Sequence, residues 1–269
     1  MHEVISLLIN RYDFFLQLLW EHIEISLSAS VIAIIVGGLL GLLIHEYKRL
    51  AGPVMLIVNF LYTIPSISML GLLLYVSGVG NTTAIIALVI YALLPMVRNT
   101  FTGLDQIKSD MREAGIALGL TRLQRLWSIE IPLAMPTIMA GIRTMLVMTI
   151  ALTGIASFIG AGGLGVAIYR GITTNQSALT IAGSLLIALL AVVVDMLFSL
   201  GERVTRISPH MKRYTIVFLS VMTLIAMAVG GWSLYCRHVK ADVIHIATKP
   251  MTEQLILGNA LKELIEHKT

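Results

Sequence analysis

From Leu50 to Val97 the chain reads LAGPVMLIVNFLYTIPSISMLGLLLYVSGVGNTTAIIALVIYALLPMV, and no Asp, Glu, Lys or Arg interrupts it. Water-soluble domains carry about 25% charged residues. This chain of 269 residues carries 13%, against 57% hydrophobic, so an ordinary cytosolic domain is excluded. The mean hydropathy of +0.88 agrees. A bilayer is the one solvent that suits such a run. At about 20 apolar residues per spanning helix there is room for about six spans and their loops, with no large soluble domain left over.

The apolar stretches bounded by charges or turn residues run from His22 to Ile44, Val54 to Val76, Thr83 to Val97, Pro136 to Phe158, Ala178 to Leu200 and Tyr214 to Cys236. The third is short, but neighbours in a membrane satisfy the backbone groups a proline frees, so Pro95 lets it run on toward Thr102. Met1 to Trp20 alternates apolar and polar residues at helical spacing and predicts a surface-lying helix. The opening MHEVISLLINRYDFF lacks a basic start, an uninterrupted apolar core and a small-residue cleavage site, so no removable signal peptide is expected.

Positive charge predicts the orientation. One set of loops holds eleven basic residues: Lys48, Arg49, Arg98, Lys108, Arg112, Arg122, Arg125, Arg203, Arg206, Lys212 and Arg213. The other holds Arg11 and Arg170 before the C-terminal tail. The first set is expected in the cytoplasm, and the N-terminus and tail outside. The net charge of +4 thus reflects topology, and no basic patch interleaved with aromatics points to nucleic acid. The single cysteine, Cys236, excludes an internal disulfide framework, and the seven histidines show no HxxxH or HExxH spacing, so no metal is assigned. The 14 methionines lack helical phasing and read as packing or lipid-facing residues.

The tail from Ala241 to Thr269 changes character: VIHIA reads as a short strand, TKP as a helix-starting turn and MTEQLILGNALKELIEH as an amphipathic helix. A strand and a helix alone cannot bury a core. Either this is the start of a larger outside domain, with Leu257, Leu261, Leu264 and Ile265 facing a sheet, or it docks on another chain.

The longest basic loop, Arg98 to Met135, contains Glu113-Ala114-Gly115, three residues, Gly119, nine residues, and Ile129-Glu130-Ile131-Pro132. A helix of small residues with a turn at Gly119 can lie close to another protein's backbone and act as a rigid peg. This pattern resembles the EAA loop of binding-protein-dependent ABC importers: Glu-Ala-Ala, three residues, Gly, nine residues, Ile, any residue, Leu, Pro. Both spacings fit, with Gly115 for the second Ala and Ile131 for Leu. The resemblance implies that the loop docks in a groove of a separate ATPase subunit, with Glu113 as a charged contact and Pro132 opening the next span. The bland alternative is a solvated linker between two spans.

A second resemblance is carried by residues 61–104, LYTIPSISMLGLLLYVSGVGNTTAIIALVIYALLPMVRNTFTGL, and by SFIGAGGLGVAIYRGI at 157–172. These look like permeases that import glycine betaine, carnitine and choline, some of which are fused through an extra span to their own receptor. VIHIATKPMTEQLILGN at 243–259 looks like the first strand and helix of that receptor, cut short here. The resemblance implies an all-α polytopic membrane protein with the type I ABC importer permease fold: five core spans, a sixth linking helix and the beginning of an α/β binding-protein domain. In residues, this is an amphipathic segment at 1–22 and a permease domain at 23–208 with its coupling loop at about 103–135. A linking helix at 209–240 and the start of the receptor at 241–269 complete it.

The implied partners are two ATPase subunits, a second permease copy, the receptor domain and the bilayer of a bacterial cell. ATP and Mg would be used by the ATPase, with no cofactor on this chain; no GxxxxGK[ST] phosphate loop occurs in it. Receptors of this family hold quaternary ammonium heads in aromatic cages, where ring faces stabilise a cation. Lys249, Thr252, Glu253 and Gln254 stand at the tail's strand-to-helix turn, where a cleft-facing loop is expected. The permeases of ergothioneine and methionine importers are the alternative relatives.

Gly160, Gly162 and Gly165 match a dinucleotide fingerprint, but the βαβ context and the later acidic residue are missing. With Gly163 they read instead as a tight turn at the mouth of a pathway. Pro65, with Asn59, Tyr62, Thr63 and Ser66 around it, predicts a polar kinked segment that lines the translocation path or packs helices. Arg143 and Asp195 fall within predicted spans, where charge is costly, so they either pair or Arg143 snorkels to the headgroups. A secondary transporter would show repeats and ionisable residues at mid-membrane, and a channel a filter or charged ring. No nucleophile, base and orienting group converge as an enzyme would need.

Overall fold

Within a bilayer a backbone has to satisfy its own N–H and C=O groups, which makes the helix the form these apolar runs adopt. A computed structural model describes residues 2–206 of the chain, with side chains to residue 199. The expected sixth span, the tail, Cys236 and the turn residues Lys249, Thr252, Glu253 and Gln254 lie outside the described residues. Within them every regular element is helical. Helix α1 is His2–Asn10 and α2 Tyr12–Glu46; a 3₁₀ turn, Lys48–Leu50, leads into α3, Ala51–Thr63, followed by α4, Ser66–Ser77. Helix α5 is Asn81–Asp105, α6 Ser109–Ala117 and α7 Arg122–Arg125; a π-helical turn, Leu126–Glu130, opens α8, Ile131–Thr153. After a 3₁₀ turn at Ala156–Ile159 come α9, Gly165–Thr173, and α10, Ser177–Arg206.

Four of these segments are long and apolar enough to cross a membrane: Tyr12–Glu46, Asn81–Asp105, Arg122–Thr153 and Ser177–Ser199. The bent pair α3 and α4 brings the number to five if counted as one span. The expected boundary at residue 22 falls inside α2, which begins at Tyr12. Asn81–Asp105 runs through Pro95 without ending. The second expected span, Val54 to Val76, is not one kinked helix: α3 and α4 meet at a 100° bend. Pro65 donates no N–H and pushes the preceding residue into extended backbone, and Ile64 has φ −66° and ψ 128°. The Tyr91 hydroxyl of α5 donates to the Ile64 carbonyl that the break exposes.

Helix α5 packs against α2 on one side and α8 on the other. Lipid tails are as apolar as leucine, so tight contact between helices rests on small residues. A Cβ at Gly41 of α2 would lie 2.5 Å from Thr100 Cβ of α5, and one at Gly141 of α8 would lie 2.5 Å from Asn99 Cβ. Gly37 of α2 faces Met96 in the same way, completing a small-residue pair spaced four apart. Buried polar groups close on backbone: His22 Nε2 donates to the Ile150 carbonyl at 2.9 Å, tying α2 to α8, and Thr149 donates to Met145 O at 2.8 Å.

Candidate functional site

The loop between α5 and α8 is built from two local stop signals. Helix α6 ends in paired reverse hydrogen bonds, Leu120 N–H to Gly115 O at 3.1 Å and Gly119 N–H to Ile116 O at 2.9 Å, with Gly119 at φ +72°. That closing turn requires left-handed backbone, which only glycine enters without a Cβ clash. Thr121 then caps α7 in a reciprocal box with Gln124. At the far end Pro132 has no N–H to give to the Ser128 carbonyl, and the chain widens into the π turn, with Ile131 N–H donating to Leu126 O.

Two faces result. Glu113, Ala114, Ala117 and Gly119 are exposed, and so are Ile116 and Leu118, at 59% and 76%. This is a small-residue, apolar ledge flanked by one carboxylate. Gly115 alone in α6 is buried: a Cβ there would lie 3.0 Å from Ile129 Cδ1 and 3.2 Å from the Arg125 stem. Its departure from the alanine of the pattern therefore matches the close packing of the two halves of the loop. Ile129, Ile131 and Pro132 are half-buried beneath it.

Glu130, the unconstrained position of the pattern, is the buried member, with a side chain 6% exposed. Arg125 Nε donates to its Oε1 at 2.9 Å and His45 Nε2, from the last turn of α2, donates to Oε2 at 3.3 Å. Arg112 Nε of α6 lies 3.9 Å from Oε1, and Arg112 Nη2 donates to the Leu104 carbonyl of α5 at 2.7 Å. Removing a carboxylate from water costs several kcal/mol, and the two arginines with the His45 hydrogen bond offset that cost. On the rim, Arg122 pairs with Glu46, and Lys48 Nζ donates to Asp105 Oδ1 at 2.7 Å. His45, Glu46, Arg112, Arg122, Arg125 and Glu130 line a cleft of about 140 Å³. The sequence reading passed over Glu130 and His45; the available signal was a lone carboxylate between two isoleucines just before Pro132.

The other selected residues are spread over the frame. Asn59 accepts from Arg98 Nη2 at 2.9 Å, and Tyr62 reaches Met148 Sδ at 3.7 Å and stacks edge-on with Tyr91 at 6.0 Å. Thr63 turns back to the Phe60 carbonyl, while Pro65 and Ser66 form the break. Arg143 and Asp195 meet in a bidentate pair that ties α8 to α10, Nε–Oδ1 2.5 Å and Nη2–Oδ2 2.7 Å. At the end opposite the loop, Gly162 N–H donates to Asn81 Oδ1 at 3.0 Å and Gly163 N–H to Glu21 Oε2 at 3.1 Å. Gly160 and Gly163 both have positive φ, and Gly165 starts α9 directly against the Gly154 carbonyl. Neither Glu21 nor Asn81 was singled out by the sequence.

A family profile described as "Binding-protein-dependent transport system inner membrane component" matches residues 29–207. The glycine betaine/carnitine/choline transport system permease protein OpuCD of Bacillus subtilis is 44% identical over 199 residues, covering 74% of this chain and 86% of that protein. The ergothioneine transport permease/ergothioneine binding protein EgtU of Helicobacter pylori is 34% identical over 246 residues, covering 88% of this chain. This chain spans 44% of that relative's length. Among solved structures, inward-facing MetNI methionine ABC transporter matches 71% of this chain and 95% of its own, with a TM-score of 0.64 and 20% identity, a likeness of fold.

Proposed function

This chain belongs to the family of binding-protein-dependent transport system inner membrane components and is the permease of an ABC importer, with ATP hydrolysis in a separate subunit; from that membership we propose that its cargo is a betaine-type quaternary ammonium solute. The observation that carries the cargo reading is the 44% identity to a glycine betaine/carnitine/choline permease over 199 residues. Ergothioneine is the second reading, favoured by a match that extends over 88% of this chain, further than the match to OpuCD. Both cargo readings share a trimethylammonium head, beside a carboxylate in glycine betaine, carnitine and ergothioneine and a hydroxyl in choline. The tail from residue 241 would then begin the receptor, with Lys249, Thr252, Glu253 and Gln254 at its first turn.

Two copies of the permease would form the pathway, and each would offer its exposed α6 ledge, headed by Glu113 and ended by Gly119, to one of two ATPase subunits that use Mg and ATP. By the positive-inside rule that ledge would face the cytoplasm of a bacterial cell and the glycine loop the outside. Asn59, Tyr62, Thr63, Pro65 and Ser66, at the broken span, would line the path. The Arg143–Asp195 clasp would hold α8 and α10 together as the assembly cycles.

The test is gentle purification of the tagged chain from its native membranes, with mass spectrometry of what accompanies it and uptake of labelled glycine betaine, carnitine, choline and ergothioneine into vesicles. An ABC ATPase is expected to co-purify and to be lost with Glu113→Lys or Gly119→Trp. Retention of the ATPase by both variants would remove the loop from the docking role. Uptake of none of the four solutes would overturn the cargo reading.

A further inference from the structure

The family pattern leaves Glu130 free to be any residue, yet this structure buries it and surrounds it with groups from three different elements. Arg125 belongs to the second half of the loop, Arg112 to α6 and His45 to the last turn of α2. The carboxylate also ends the π turn, the point where the loop becomes α8. The exposed ledge lies elsewhere on the loop, so a partner can press on Ile116 and Leu118 without touching Glu130.

We propose that Glu130 is the joint through which movement of the loop reaches the membrane helices. It is a positioning residue whose single carboxylate the loop grips through Arg125 and α2 grips through His45. When the ledge moves, α2 either follows or pulls away from Glu130. Pulling away takes from the buried carboxylate the hydrogen bond that His45 donates, which is unfavourable. The end of α2, the loop and the start of α8 therefore move as one body. Arg122 with Glu46 forms a second, solvent-facing strap between the same two elements, too screened to carry the motion alone.

The inference rests on the reading of the loop as the ATPase dock, and the two fail differently. A failed dock leaves the ATPase bound to Glu113→Lys, whereas a failed joint leaves the Glu130 variants fully coupled. The full chain, with its ATPase and receptor, would be reconstituted in liposomes, and glycine betaine taken up per ATP hydrolysed would be measured. In a Cys236→Ser background, spin labels at Tyr47 and at the exposed Leu123 of α7, off the ledge, would report the separation of α2 and the loop with and without ATP plus vanadate. In the native sequence that separation is expected to stay constant. Glu130→Gln is expected to broaden it under ATP and to lower uptake per ATP roughly tenfold, with ATPase recovery and basal hydrolysis unchanged. His45→Gln, which leaves the Arg125 contact in place, is expected to act in the same direction, and Glu130→Asp to restore part of the coupling. Native label separation and native coupling in both Glu130→Gln and His45→Gln would overturn the proposal. If glycine betaine is not the cargo, the label separations alone decide.

Discussion

At one end of the helical frame, Glu130, Arg125 and His45 fasten the loop to α2 through a buried carboxylate, with Arg122–Glu46 and Lys48–Asp105 on the rim. At the other end, two glycine amides of the loop at 160–164 are held by Glu21 and Asn81. The first end is closed by a carboxylate, arginines and a histidine of separate elements; the second is closed by backbone N–H groups that sit close because no Cβ intervenes. Breaking a charge pair at a buried carboxylate leaves an uncompensated ion. A backbone amide carries no net charge, so losing its single side-chain acceptor costs less. The loop end is thus tied through a buried carboxylate and its side-chain partners, and the glycine end through backbone amides.

Three substitutions test that contrast, in falling order of effect. Glu130→Ala is expected to destabilise the protein most, by about 3–5 kcal/mol, because Arg125 and Arg112 keep their charge with no buried counterpart. Denaturation of the detergent-solubilised chain would measure it, and a loss below about 1 kcal/mol would mean the cluster is wetter than its burial indicates. Glu21→Gln keeps an acceptor for Gly163 and is expected to cost about 1 kcal/mol or less in the same assay, with uptake retained. A loss equal to that of Glu130→Ala would erase the distinction between the ends. Lys48→Ala removes a pair whose side chains are 63% and 42% exposed, so its expected cost is about 0–1 kcal/mol, fading with added salt. A larger, salt-insensitive loss would move Lys48 from the rim into the joint.

Much of the frame was legible beforehand for a specific reason: spans announce themselves by composition, and Pro95 within a membrane helix is tolerated. The broken second span was legible only as a kink, because Pro65 sets local backbone but the 100° angle is chosen by what α3 and α4 pack on, Tyr91 among them. In the loop, Gly119 was readable as a stop and its left-handed backbone follows from that role. Glu130 was passed over because a spacing pattern scores the positions it constrains and is silent on those it leaves open. Gly37 and Gly41 carried a readable signal, small residues four apart on an apolar helix, that went unused.

The sequence by itself determined that this is a helical membrane protein, roughly where its described apolar helices lie, and which loop carries the Glu-Ala-Gly pattern. Those properties depend on residues near one another along the chain: the solvent preference of a run, the backbone a proline or glycine permits, the spacing of a motif. Only the tertiary structure decided that His45, 85 positions from Glu130, shares that carboxylate with Arg125, and that Arg143 meets Asp195 across two helices. It alone decided that glycine amides at 162 and 163 find Asn81 and Glu21. Those pairings depend on helix crossings, which are set by the small residues that let α2, α5 and α8 approach. No local pattern encodes the partner an ion meets once those crossings are made.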